Sequence, residues 1–195
     1  TWYKPFNAGK TKEDGTLQEP GMQYCNVTKD GKTTNVCQEN IMNEIMTQIK
    51  EGFEVIFLQE FTSRIQEVFE NYGVTFSDTN VPTTEIPFTM TYKPQAGGSP
   101  LEYYVYSVNA QGETIITLCS KKIFPTPATQ YYMGNLTGYP NNPSYASNGD
   151  TTKFWEISGG GRPYIVLVFD DIEMILINIH GPHGGNFNPY LQKVS

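Results

Sequence analysis

The stretch Val55-Ile56-Phe57-Leu58-Gln59-Glu60 is an apolar run that ends on an amide and a carboxylate. A second run, Met174-Ile175-Leu176-Ile177-Asn178-Ile179-His180, ends in the same way on an amide and an imidazole. Short apolar runs of this kind predict buried strands. Polar side chains at the ends of two such strands predict one chemical site on the rim of a sheet.

The chain before the first run predicts a β-α-β unit. Apolar side chains recur at helical spacing between Gln38 and Lys50, and Gly52 is a natural stop for that helix. A short strand is predicted over 21–27 and another over 53–59. This order predicts two parallel strands joined by a right-handed crossover.

The remaining chain predicts further strands and two more helices. A helix is expected over 63–72, short strands over 89–92, 103–108 and 113–119, and a last helix beginning at Asn188-Pro189. Residues 162–169 and 172–179 are two apolar runs around Asp170-Asp171, which predicts a hairpin. Residues 1–21 are interpreted as an N-terminal extension or arm, and 22–195 as one domain.

The composition limits the classes of function. The chain has 195 residues, 13% aromatic and 17% charged, with a net charge of −7 and a pI near 4.8. An acidic surface disfavours non-specific binding to nucleic acid through phosphate neutralisation. Cys25, Cys37 and Cys119 form no CxxC pair, and an odd count predicts free thiols in a reducing compartment, so an intracellular location is favoured over secretion. No apolar run reaches transmembrane length, so no transmembrane segment is predicted.

Three segments carry a resemblance to a known family. They are Tyr24-Cys25-Asn26-Val27, then Ile56 to Glu60, then Ile177-Asn178-Ile179-His180, with Arg162 opening the strand before the hairpin. In this order they resemble the N-terminal half of the endonuclease/exonuclease/phosphatase family of metal-dependent phosphoesterases, over about 22–195. Phe6-Asn7 offers a competing match for the first segment; Asn26 is preferred because its spacing to Glu60 suits one strand-helix-strand unit.

The resemblance implies a role for each residue. Glu60 would hold Mg²⁺ or Mn²⁺, since a hard cation takes carboxylate oxygen and keeps several waters. Asn26 would orient the metal or the phosphate, and His180, with Asn178 beside it, would stabilise charge on the phosphoryl oxygens. Arg162 would bind a substrate phosphate. Each segment alone also fits a structural role, as a helix cap, a turn residue or a hydrogen-bonded histidine.

The resemblance also implies a fold and an activity. The fold would be an α/β sandwich of two mixed β-sheets flanked by helices, four-layer and DNase-I-like, and incomplete at the C-terminus. The activity would be Mg²⁺-dependent hydrolysis of phosphoesters, with nucleic acid as the first substrate class and phosphoinositides or sphingolipids as the second. A third possibility is an inactive family member that acts as a structural or interaction protein in a larger assembly.

Part of the family's catalytic set is missing from this sequence. The family's Gly-Asp-x-Asn motif and late Asp-His pair do not occur, and the chain has only two histidines. Three explanations follow: the chain is a portion of a longer enzyme, a second chain supplies the missing half, or the member is degenerate. The first two predict hydrolysis and the third predicts none.

Overall fold

A computed structural model describes residues 3–77, 87–94, 97–110, 113–135, 146–147 and 163–180 of the chain. Its helices are α1 Tyr3–Asn7, α2 Val36–Lys50 and α3 Ile65–Glu70, with short 3-10 helices at Pro20–Cys25 and Asp170–Ile172. Its strands are β1 Asn26–Lys29, β2 Lys32–Asn35, β3 Val55–Phe61, β4 Val74–Phe76, β5 Phe88–Tyr92, β6 Leu101–Ala110, β7 Glu113–Ser120, β8 Gln130–Asn135, β9 Ala146–Ser147, β10 Pro163–Phe169 and β11 Met174–Ile179. The predicted helix over 38–50, the strand over 53–59 and the hairpin around Asp170-Asp171 are confirmed.

The strands form antiparallel sheets. One sheet has five strands in the order β3-β7-β6-β5-β4, a second has four in the order β11-β10-β8-β9, and β1 pairs only with β2. Every strand pair within the described residues is antiparallel. The chain is therefore α/β, as predicted, and has few helices within the described residues, but the prediction of mixed sheets is wrong for this part of the chain.

The predicted β-α-β unit is also wrong. The segment expected as a strand over 21–27 begins as a 3-10 helix, and Asn26 only then opens β1. The chain turns at Asp30 and Gly31, both with positive φ, and returns as β2 directly into α2. Asp30 and Gly31 form a tight hairpin turn directly after β1. The strand β1 therefore pairs with the adjacent β2 and not with a parallel strand that follows α2.

The five-stranded sheet is buried on both faces. On one face, α2 contributes Met42, Ile45, Met46 and Ile49 to a core that also contains Ile56, Leu58 and Phe61 of β3. On the other face, Ile115 and Cys119 of β7 share a second core with Ile165, Leu167 and Phe169 of β10. The two sheets thus pack face to face, and the helices cover the outer face of the larger one.

Two of the three cysteines form a disulfide. Cys25, at the end of the first 3-10 helix, bonds to Cys37 in the first turn of α2. Cys119 is buried and free. The prediction of three free thiols is therefore wrong, because the hairpin brings residues 12 positions apart to a Cα separation of 5.1 Å, which suits a disulfide. The argument for a reducing compartment, which depended on free thiols, no longer holds.

The strand β11 carries exposed apolar side chains on its outward face. Ile175 and Ile177 alternate along β11, and Ile175 is 61% exposed.

Among the helices of the described residues, none has the length and hydropathy of a membrane span.

Candidate functional site

The ends of β3 and β11 meet, although they lie about 120 residues apart in the sequence. Gln59 of β3 donates from Nε2 to Oδ1 of Asn178 at 3.3 Å and to the backbone oxygen of Ile179 at 2.7 Å. The Gln59 side chain thus links the edge of one sheet to the adjacent edge of the other. We call Gln59, Glu60, Asn178 and His180 the rim site.

Asn178 is the anchor of the rim site. Its Nδ2 donates to the backbone oxygen of Ile116 at 2.9 Å and to Oγ1 of Thr117 at 3.2 Å, both in β7. Because Gln59 donates to its Oδ1, each polar atom of this buried amide has a partner. A buried amide with all its hydrogen bonds made fixes the spacing between the two sheets.

A β-bulge positions Glu60. Leu58 pairs with Ile116 and Phe61 with Thr114, so β3 has one more residue than β7 between these pairs. Glu60 has φ +54°, in the left-handed region that few non-glycine residues occupy. Without the extra residue, strict alternation would aim Glu60 at the helices, away from Gln59's face. Bulges re-aim side chains, and unusual backbone conformations of this kind occur at functional sites.

Glu60 and His180 form a pair at the rim. His180 Nε2 lies 3.1 Å from Glu60 Oε1, and the side chains are 10% and 13% exposed, respectively. The backbone N–H of His180 donates to the oxygen of Pro163 at 3.2 Å, which extends the β10–β11 pairing by one residue. The pair is therefore mostly buried but still reaches solvent.

The N-terminal helix α1 packs against the base of this site. The Phe6 ring meets the Phe61 ring edge-on at 4.8 Å between centroids, and Arg64 donates to the Phe6 backbone oxygen at 3.3 Å. Asn7, the next residue, is buried. Phe6, predicted to belong to an N-terminal extension, therefore contributes to the core beside the rim site.

The structure places the other predicted site residues elsewhere. Asn26 lies on β1, outside the sheets that carry the rim site, and its side chain fills the space at Gly9, where an added Cβ would lie 2.5 Å from Nδ2. Arg162 lies outside the described residues, as does the helix predicted from Asn188. Of the predicted set, the structure brings together Glu60, Asn178 and His180.

Sequence reasoning gave no role to two polar residues that complete the arrangement. Gln59 stood in the quoted motif, yet its cross-sheet bond could not be inferred without knowing that β11 lies opposite. Thr114, which pairs with Phe61, is buried, and its Oγ1 has no hydrogen-bond partner among the described residues.

The Glu60 carboxylate gives the rim site one oxygen ligand that could bind a metal ion. Within the described residues, no three His, Cys, Asp or Glu side chains come together as a metal-binding group.

No protein-family model, curated protein or solved structure matches this chain.

Proposed function

We propose that the rim site is part of the active centre of a metal-dependent phosphoesterase of the endonuclease/exonuclease/phosphatase type. The supporting observation is the convergence of Glu60, Asn178 and His180 from strands about 120 residues apart. The resemblance assigns roles to these three residues without reference to the fold, so their meeting at one rim supports the proposal. The packing of two sheets with helices outside is consistent with a DNase-I-like sandwich.

The donor chemistry fits a Mg²⁺ or Mn²⁺ ion bound mainly through water. Mg²⁺ is commonly held by one or two carboxylates and keeps several waters, so Glu60 would be sufficient as the carboxylate ligand. When bound, such an ion supplies positive charge for a phosphate and lowers the pKa of a bound water. It would also offset the repulsion between an acidic chain and a phosphorylated substrate.

His180 and its neighbours would position and stabilise the phosphate. His180, which lies against Glu60, would stabilise negative charge as it builds on a phosphoryl oxygen. Asn178 and Gln59 would hold the two strand ends at a fixed separation. They are therefore positioning residues.

Nucleic acid is the substrate class we put first, followed by phosphoinositides or sphingolipids. The alternative of a non-catalytic interaction protein is favoured by a separate observation, the exposed apolar face with Ile175 and Ile177. Exposed apolar surface of this kind is typical of interaction sites.

The test is an assay of the purified chain with Mg²⁺, with Mn²⁺ and with EDTA. The substrates are supercoiled plasmid DNA, bis(p-nitrophenyl) phosphate, phosphatidylinositol 4,5-bisphosphate and sphingomyelin vesicles. We expect metal-dependent turnover of one of these, lost at least about 100-fold in Glu60→Gln, because removing one charge-stabilising group has an effect of that order.

Glu54→Gln is the matched control, because Glu54 is exposed and directly precedes β3. We expect its turnover to equal that of the wild type. Turnover insensitive to EDTA, or equal loss in both variants, would contradict the proposal. No turnover of any substrate by the wild type would favour the interaction protein.

A further inference from the structure

A polar cleft lies between β2, α2 and the chain just after α3. Its volume is about 610 Å³, which is within the usual range of small-molecule pockets, about 300–1,000 Å³. None of the rim-site residues lines it. The cleft is therefore a second candidate binding site with its own chemistry.

The lining of the cleft is rich in amides and close to electrically neutral. Gln38, Asn43 and Asn71 contribute carboxamides, and Lys32 and Glu39 contribute one charge of each sign. Each carboxamide offers two donors and an acceptor. Because the two charges cancel, the cleft has no net preference for an anion or a cation. It favours an uncharged ligand that carries many hydroxyl groups.

Tyr72 forms an aromatic wall of the cleft. It is partly buried and packs against the core beneath α2 and β3. Burial and the nearby Glu39 carboxylate raise the pKa of the Tyr72 hydroxyl, which keeps it protonated and able to donate. A fixed aromatic ring with a polar end offers both a flat apolar surface and a hydrogen bond.

Two hydrogen bonds and a disulfide constrain the chain beside the cleft. The Asn35 side chain accepts from the backbone N–H of Gln38 at 3.0 Å and donates to the backbone oxygen of Pro5. The Cys25–Cys37 disulfide ties the first turn of α2 to the preceding 3-10 helix. A preorganised site loses less entropy on binding, which matters for weakly bound, strongly hydrated ligands.

We propose that this cleft binds a neutral saccharide, with the amides of Gln38, Asn43 and Asn71 contacting hydroxyls and the Tyr72 ring lying against the sugar. The proposal is independent of phosphoester hydrolysis. Glu60→Gln is therefore expected to leave saccharide binding unchanged.

The test is saturation-transfer-difference NMR of the intact chain with galactose, mannose, N-acetylglucosamine and lactose, each at millimolar concentration. We expect transfer to at least one of them. Asn43→Ala and Asn71→Ala should each weaken binding about fivefold, the effect of losing about one hydrogen bond. Both residues are exposed, so neither variant should unfold the protein.

Asn40→Ala is the matched control, because Asn40 is exposed on the same helix but does not line the cleft. We expect it to bind as the wild type does. No transfer to any of the four sugars would overturn the proposal. Transfer that Asn43→Ala and Asn71→Ala do not reduce, or that Asn40→Ala reduces as much, would also overturn it.

Discussion

The rim site and the β1–β2 hairpin are held in place by different forces. The rim site joins residues about 120 positions apart through side-chain hydrogen bonds to Asn178, whose amide is buried. The hairpin is mostly exposed, and a disulfide between residues 12 positions apart ties it to α2. The contrast shows that the sheets position the rim site by burial, whereas a covalent bond compensates for the hairpin's small core.

The largest expected effect is at Phe61, where the base of the rim site packs. Its ring lies between Phe6 at 4.8 Å and Phe69 at 5.8 Å, centroid to centroid. Phe61→Ala should lower the free energy of unfolding by about 3–5 kcal/mol, because it leaves a cavity in the core. Urea denaturation measures the loss. Phe57→Ala, an exposed position on the same strand, should cost less than about 1 kcal/mol; equal losses would contradict the packing described.

Removing the disulfide beside the hairpin should lower the free energy of unfolding less than Phe61→Ala does. The double variant Cys25→Ala/Cys37→Ala should lose about 3 kcal/mol, as expected for closing a loop of this length. The same denaturation experiment checks it. A parallel alkylation experiment with mass spectrometry should find two additional labelled thiols after mild reduction. Two labelled thiols before any reductant is added would show that the bond is absent.

Removing the anchor amide of the rim site should have an intermediate effect. Asn178→Ala removes the side-chain donor to the Ile116 oxygen and to Thr117 Oγ1, and it removes one of the two acceptors of the Gln59 amide. The expected loss is about 2 kcal/mol, because unsatisfied buried polar groups are costly. Thermal and urea unfolding measure it. Asn109→Ala, at an exposed position of β6, should change stability by less than about 0.5 kcal/mol.

Ionisation of the Cys119 thiol should have the smallest effect on stability near neutral pH. Burial raises the pKa of its thiol to about 12. In the unfolded chain this thiol ionises at a lower pH, so between about pH 9 and 12 the folded state binds more protons. Stability should therefore fall as pH rises through that range, by at most about 1.4 kcal/mol per pH unit. Urea unfolding at pH 8, 9 and 10 measures the slope, and Cys119→Ala should flatten it. An unchanged slope in that variant would contradict the burial.

The sequence predicted what depends on local pattern. Alternating and continuous apolar runs located β3, β10 and β11, and helical spacing located α2. The polar residues at the strand ends could be proposed as a group because strand ends tend to meet at a rim. In this way Glu60, Asn178 and His180 were found before any geometry was known.

The wrong predictions concern which strands and which cysteines pair with each other. The spacing between Asn26 and Glu60 suited a parallel unit, but it could not reveal that Asp30-Gly31 closes a local hairpin. Cysteine count could not reveal which thiols approach each other. The bulge that re-aims Glu60 depends on the register of β3 against β7, and no local signal in the sequence encodes that register.

The most direct test of the rim site is a double-mutant cycle on metal-dependent turnover with Glu60→Gln and His180→Gln. If the pair acts as a unit, each single variant should lose at least about 100-fold in kcat/KM, and the double variant should lose little more than either one, because effects of groups that act together do not add. Independent, fully additive losses, or wild-type turnover in Glu60→Gln, would contradict the account.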